Sequence, residues 1–290
     1  MNCSICPRKC NANREKAAGF CSSPAEFRVA RAALHYWEEP CISAEHGSGT
    51  VFFSGCNLKC VYCQNYEISI ENKGVAVDDD KLISIFELLI EQGAENINLV
   101  NPTHYADRLA EVFKKWHCPV PIVYNSSGYE SEETLKLLDG IVDVYLPDFK
   151  YIRSDRAQKY SRAKDYPSVV KKALAEMKRQ CPDYEFDSRG MMKKGVIIRH
   201  LVLPQNTNSS LEILDYLAEN YKDTYISIMA QYVPCNNLSE HPEINRKITQ
   251  REYNKVVDYA FEKSFPNVFI QQLSSADKDF IPAFDFTGVL

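Results

Sequence analysis

No stretch of this chain reaches the roughly eighteen consecutive apolar residues that a membrane-spanning helix requires, so nothing in it reads as a transmembrane segment. The opening Met1-Asn2-Cys3-Ser4-Ile5-Cys6-Pro7-Arg8 has no apolar leader, which argues against secretion. A broad excess of positive charge is missing too. The formal net charge of -5 leaves no footprint for a nucleic-acid duplex as the main partner. No low-complexity linker interrupts the sequence. What remains is a chain of 290 residues, 45% hydrophobic and 25% charged, long enough for one large α/β domain or two small ones. A cytoplasmic protein is the expectation.

What the chain does have is cysteine. It carries eleven, and eight of them fall within the first 63 residues. A reducing compartment disfavours disulfides, so clustered thiols point to metal. The first group is Cys3, Cys6, Cys10 and Cys21. Four thiolates close a coordination sphere, and a structural zinc or an auxiliary [4Fe–4S] cluster both fit, with four buried free thiols as the plain alternative. The second group is Cys56, Cys60 and Cys63, spaced CxxxCxxC within Gly55–Asn65, directly after the apolar run Thr50-Val51-Phe52-Phe53. Three thiolates on one tight loop hold three irons of a cube and leave the fourth without a protein ligand. Such a vacancy suits chemistry better than storage, although a zinc knuckle short of one ligand is the bland counterpart. Cys41 is either a spare thiol or a ligand to the N-terminal metal or the substrate. Cys118, Cys181 and Cys235 read as packed thiols.

From residue 50 onward, short β-rich runs alternate with amphipathic helical stretches. The runs are Thr50–Ser54, Asn96–Val100, Val120–Tyr124, Val142–Leu146, Gly195–Leu203, Thr224–Met229 and Val268–Gln272. Helices are expected near Asp79–Gln92, Tyr105–Trp116, Glu132–Leu138, Pro167–Arg179, Ser210–Tyr221 and Thr249–Lys263, with Asp78 to Asp80 and Thr249 as helix starters. This alternation predicts parallel strands, hence an α/β fold of partial (β/α)6 barrel type. Residues 1–46 form a cysteine-rich extension in this reading, and 47–290 form the barrel. In such folds chemistry sits at the carboxyl ends of the strands. Those ends carry the cysteine loop, Asn101 to His104, Asn125 to Tyr129, Asp148 to Lys150, Arg199-His200, and Gln231-Tyr232.

With those residues placed, the chain resembles the radical SAM superfamily, and more closely PflX-type proteins, homologues of pyruvate formate-lyase activating enzymes. The likeness runs over nearly the whole chain. It takes in the CxxCPRKC start, Trp37 to Cys41, Gly47 to Thr50, Phe53 to Asn65, Asn101 to His104, Asp148 to Lys150, Arg199 to Pro204 and Met229 to Tyr232. The resemblance implies that Cys56, Cys60 and Cys63 ligate a [4Fe–4S] cluster and that S-adenosylmethionine chelates its open iron. Reductive cleavage of that cofactor would then give a 5′-deoxyadenosyl radical. Tyr62 would pack on the adenine, and Arg199 would lie near the cofactor carboxylate. Asn101-Pro102-Thr103 stands where the family usually has Gly-Gly-Glu, so Asn101 and Thr103 fall on the amino-group site. The polar third-strand motif maps to Asn125, Ser126 and Ser127, and the Asp-x-Lys motif to Asp148 and Lys150. Asn125 replaces an aspartate of the activating enzymes. A lysine and an arginine suit the cofactor carboxylate, and Asn and Ser side chains suit ribose hydroxyls.

His104, His200, Gln231 and Tyr232 are candidates for a substrate pocket, with capping or packing as the ordinary role of each histidine. Lys150 and Arg199 likewise have solvated-loop and ion-pair alternatives. The expected partners are a flavodoxin- or ferredoxin-type reductant and a substrate that is either a protein, such as a backbone glycine in a partner enzyme, or a small molecule. Two rivals from other classes are an electron carrier or redox sensor with every iron saturated, and a zinc-bearing nucleic-acid module that the negative charge disfavours.

Overall fold

In the computed structural model, residues 3–277 and 281–290 are described. Ten strands form one sheet: β1 Phe27–His35, β2 Ser48–Phe53, β3 Val75–Val77, β4 Ile97–Val100, β5 Ile122–Ser126, β6 Val144–Pro147, β7 Glu185–Phe186, β8 Met192–Leu201, β9 Tyr225–Met229 and β10 Val268–Ile270. The spatial order is β10-β9-β8-β6-β5-β4-β2-β1-β3, with β7 paired to β8. From β2 through β10 that path is parallel at every step. The strands β3 and β10 end the sheet unpaired with each other, so the barrel is open.

Each parallel strand answers to one of the expected runs. Strands β2 and β5 are buried along their whole length, as sheets covered on both faces require. The crossovers carry α3 (Asp79–Glu91), α4 (Ala106–Lys115), α5 (Glu132–Lys136), α7 (Tyr166–Gln180) and α8 (Thr207–Asn220), and α9 (Gln250–Glu262) joins β9 to β10. Three short helices complete the set: α1 (Pro40–Ser43), α2 (Tyr66–Ser69) and α6 (Ser154–Ser161).

Strand β1 was not expected. It lies in the stretch grouped by sequence with the cysteine-rich extension, yet it pairs antiparallel with β2 and so joins the sheet. Arg28 and Arg31 break its apolar pattern. Arg28 reaches the Gly74 carbonyl and Arg31 pairs with Asp285 at 2.9 Å, and both cations are thus held at an edge. The C-terminal tail covers the same edge: the Phe286 amide donates to the Ala30 carbonyl and the Ala32 amide to the Thr287 carbonyl.

Helix starters behaved as their chemistry demands. The Asp78 carboxylate accepts from the Lys81 amide at 2.8 Å. Thr249 and Glu252 form a reciprocal capping box, with Thr249 Oγ1 accepting from the Glu252 amide at 3.2 Å and the Glu252 carboxylate from the Thr249 amide at 3.0 Å. Thr249→Ala is expected to lower unfolding free energy by about 1 kcal/mol in chemical denaturation.

Candidate functional site

Strand β2 feeds straight into the cysteine loop. The turn is made by Gly55, whose φ of +87 suits glycine, and a Cβ there would sit 1.8 Å from Ser23 Oγ. The loop then closes on itself, with the Cys63 amide donating to the Cys60 carbonyl at 3.1 Å. Asn101, itself in the left-handed region, donates its side-chain amide to the Gly55 carbonyl and pins the loop to the end of β4.

Burial pushes the Cys56 thiol up to about 12 and the Cys63 thiol up to about 11, with the neighbouring cysteines adding to each shift. Protein alone therefore favours protonated sulfur at both, and a bound metal must supply the charge that makes thiolates. Polar hydrogens are nevertheless aimed at the sulfurs. The Leu58 amide donates to Cys56 Sγ at 3.3 Å. Ser161 donates to Cys60 Sγ at 3.0 Å and shares a 2.8 Å hydrogen bond with Tyr151, which in turn meets the Tyr62 hydroxyl at 2.7 Å. Among the described residues no group of three or more His, Cys, Asp or Glu is drawn in to hold a single ion. The three thiols suit a cube better than one metal atom.

The loop forms one wall of a cavity of about 630 Å³ at the carboxyl ends of the parallel strands. Across it runs a charged network. Arg199 of β8 donates to Asp148 at 3.0 Å, to Glu38 at 3.1 Å and to the Asn125 side-chain oxygen. Lys150 binds the other Asp148 oxygen at 2.5 Å. Glu38 also accepts from Asn98 at 3.1 Å and from Asn125 at 3.2 Å. Burial alone would raise the Asp148 carboxyl, but Lys150 and Arg199 outweigh it and the net direction is down. Burial lowers Lys150 and Arg199, and the facing carboxylates more than reverse this. Glu39 is raised by burial, against the pull of Arg199, and one of its oxygens has no hydrogen-bond partner.

Most of the residues expected at the rim do line this cavity: Cys56, Cys60, Tyr62, Cys63, Asn101, Asn125, Ser127, Asp148, Lys150, Arg199, Gln231 and Tyr232. Lys150 lies within electrostatic reach of Cys60 and Cys63, so the Asp-x-Lys segment stands beside the cysteine loop. Ser127 Oγ is buried with no hydrogen-bond partner among the described residues, and Ser127 lines the cavity. That hydroxyl, the converging thiols and the adjacent ammonium of Lys150 together fit a bound cluster with S-adenosylmethionine. Arg199 is placed as expected, but its guanidinium is already taken up by Asp148, Glu38 and Asn125. Tyr62 sits edge-on to Tyr160 and Tyr232, with centroids at 6.2 and 5.9 Å.

Three expectations are corrected. Thr103 does not reach the cavity, because the chain turns into a 3-10 segment after Asn101 and Thr103 donates to Glu130 at 2.9 Å behind the strand ends. His104 is buried in the same turn, donating to the Ser54 carbonyl at 2.8 Å and lying against Tyr105. His200 follows the two-residue alternation of β8: Arg199 and Leu201 face the cavity, and His200 faces α8. Its Nδ1 donates to the Phe149 carbonyl at 2.8 Å and its Nε2 accepts from Ser210 at 2.9 Å. Cys41 packs in an apolar cluster with Val123, Leu146 and Ile197, the spare-thiol alternative.

Sequence reasoning missed Glu38 and Glu39, Tyr151 and Ser161. The adjacent acids before Pro40 were the available signal for the first pair; α6 offered none for the second.

Burial holds both histidines neutral, lowering His104 to about 3 and His200 to about 4. The unfolded chain takes up these protons near pH 6.5, so stability rises with pH across the window between the folded and unfolded values. Taking urea unfolding from pH 7 to pH 5 should cost about 2 kcal/mol per histidine. His200→Asn should remove about half of that pH dependence.

Residues 50–192 match the model of the Radical SAM superfamily. The chain is 32% identical over 269 residues to protein MJ0674 of Methanocaldococcus jannaschii, covering 89% of this chain and 74% of that one. Among solved structures, HydG, a maturase of the [FeFe]-hydrogenase, superposes with a TM-score of 0.52 at 15% identity over 80% of this chain and 54% of its own. Streptococcus suis SuiB bound to S-adenosylmethionine gives 0.51 at 15% identity, over 76% and 49%. The chain thus spans about half the length of these solved structures, and they speak for the fold alone.

Proposed function

The chain belongs to the radical SAM superfamily, the group of iron–sulfur enzymes that cleave S-adenosylmethionine, and from that premise we propose that it takes a hydrogen atom from a segment of a partner protein. The observation that carries the chemistry is the meeting of three clustered thiols, Cys56 and Cys60 buried and Cys63 half-buried, with a cavity crossed by a charged network at the strand ends. The bound [4Fe–4S] cluster and S-adenosylmethionine supply one electron and a cleavable carbon–sulfur bond.

The protein's own part is placement and the exclusion of water. Cys56, Cys60 and Cys63 hold three corners of the cluster. Ser161 and Leu58 donate hydrogen bonds to the sulfurs and tune their basicity. Lys150, beside the loop, would meet the cofactor's carboxylate, and Ser127 and Asn125 would meet its hydroxyls. Tyr62, within the cysteine loop, and Tyr232, edge-on to it, wall the cavity beside the thiols. Arg199, neutralised by Glu38 and Asp148, keeps the strand ends in register around the cofactor. An external one-electron donor of flavodoxin or ferredoxin type completes the cycle.

Support for a protein substrate comes from the lip of the cavity. Tyr36 and Trp37 line it while 48% and 62% exposed, and Ile270 opposite is 37% exposed. Exposed apolar surface such as that of Tyr36 and Ile270 at a cavity mouth suits a docking partner. The second reading is a small-molecule substrate, favoured by a cavity volume within the range of metabolite sites.

After anaerobic reconstitution, reduction and addition of S-adenosylmethionine, the protein should release 5′-deoxyadenosine slowly, and Cys63→Ala should fall to the level of protein-free controls. No product from the unaltered chain would refute the enzyme reading. Adding size-fractionated cell extract then separates the substrates: acceleration by the macromolecular fraction supports a partner protein, and acceleration by the small-molecule filtrate overturns it.

A further inference from the structure

Residues 3–26 contain no helix or strand. Side-chain hydrogen bonds tie the run to the domain: Arg14 donates to the Ser23, Pro24 and His104 carbonyls and Thr134 to the Ile5 carbonyl. Its four cysteines are free of disulfides, with Cys6 and Cys21 buried. Backbone pairing of Cys3 with Asn11 and Ala12, and the contact of Cys10 Sγ with Gly19 two residues before Cys21, bring the four cysteines into one loop. The backbone is tied around them. The Cys3 amide donates to the Ala12 carbonyl at 2.8 Å, the Asn11 amide to the Cys3 carbonyl at 3.0 Å, and the Lys9 amide to the Cys6 carbonyl at 3.0 Å. Cys10 Sγ comes so close to Gly19 that a Cβ there would be 2.8 Å from it.

This loop is docked on the other cysteine loop. The Cys56 amide donates to the Cys21 carbonyl at 3.1 Å. Lys59 bonds Ser22 at 2.5 Å. Arg8 donates to the Asn57 and Ser161 carbonyls, each at 2.8 Å, and so ties the segment both to the cysteine loop and to the residue whose hydroxyl meets the Cys60 sulfur.

We propose that Cys3, Cys6, Cys10 and Cys21 hold a second [4Fe–4S] cluster, closed by four thiolates, which clamps the CxxxCxxC loop from behind. A zinc ion at about 2.3 Å from each sulfur would draw all four within about 4 Å of one another. No three metal-binding side chains among the described residues are gathered to hold one ion, and this is as true of the four N-terminal thiols as of Cys56, Cys60 and Cys63. A cube, with an iron behind each sulfur, tolerates sulfurs farther apart than a single ion does. With no corner open, it binds no cofactor, and its role is to order the loop beside it.

The test separates this centre from the catalytic one by removing the latter. The full chain carrying Cys56→Ala, Cys60→Ala and Cys63→Ala, reconstituted anaerobically with iron and sulfide, should retain about four irons and four sulfides. Adding Cys6→Ala and Cys10→Ala should abolish them, with circular dichroism monitoring the fold. Absence of iron in the triple variant overturns the proposal, and one zinc in its place overturns the cluster. For the clamp, Cys6→Ser with Cys10→Ser in the otherwise unaltered chain should lose the remaining iron to a chelator several-fold faster. An unchanged rate overturns the clamping role. Neither readout depends on the substrate or on S-adenosylmethionine cleavage.

Discussion

A single guanidinium organises the interior of this cavity. Arg199 is buried, and a buried cation is tolerable only when paired and fully hydrogen-bonded. Its partners come from three places in the chain: Asp148 after β6, Asn125 on β5 and Glu38 after β1. To satisfy one charge, three parallel strands and the segment before α1 must end at matching heights. That shared height is the floor on which a cofactor can lie. Lys150 joins the network through the second Asp148 oxygen and carries positive charge toward the cysteine loop.

The cysteine loop obeys the opposite logic. Burial disfavours negative sulfur at Cys56 and Cys63. Their environment is complete only with metal bound. The hydrogen bonds from Ser161 and the Leu58 amide add partial positive charge at the sulfurs, the usual means by which a protein adjusts an iron–sulfur centre. The N-terminal segment fixes the same loop from outside, its Cys21 carbonyl accepting from the Cys56 amide and its Arg8 guanidinium donating to the Asn57 carbonyl. The two cysteine groups, separate in sequence, therefore form one mechanical unit.

The open sheet has a consequence for substrates. Because β3 and β10 do not pair, the barrel is not sealed along one side. The mouth is bordered instead by Tyr36 and Trp37 from one end of the chain and by Phe269 to Gln272 from the other. Segments from both ends of the fold thus shape the entrance, while the parallel strands shape the floor.

Local chemistry determined much of this protein in the sequence itself. Runs of Val, Ile, Leu and Phe between amphipathic stretches specify parallel strands, since only strands covered on both faces are apolar throughout. The CxxxCxxC spacing specifies three thiols on one turn, and Thr249 and Asp78 specify helix starts. Tertiary structure alone decided the rest. The faces taken by Thr103, His104 and His200 depended on a 3-10 turn and on strand register, neither of which residue type reveals. Strand β1 was hidden by arginines whose partners are more than forty residues away. Glu38, Tyr151 and Ser161 became site residues only when distant segments met, because pairing of buried charge and hydrogen bonding to sulfur are long-range satisfactions that no local pattern records.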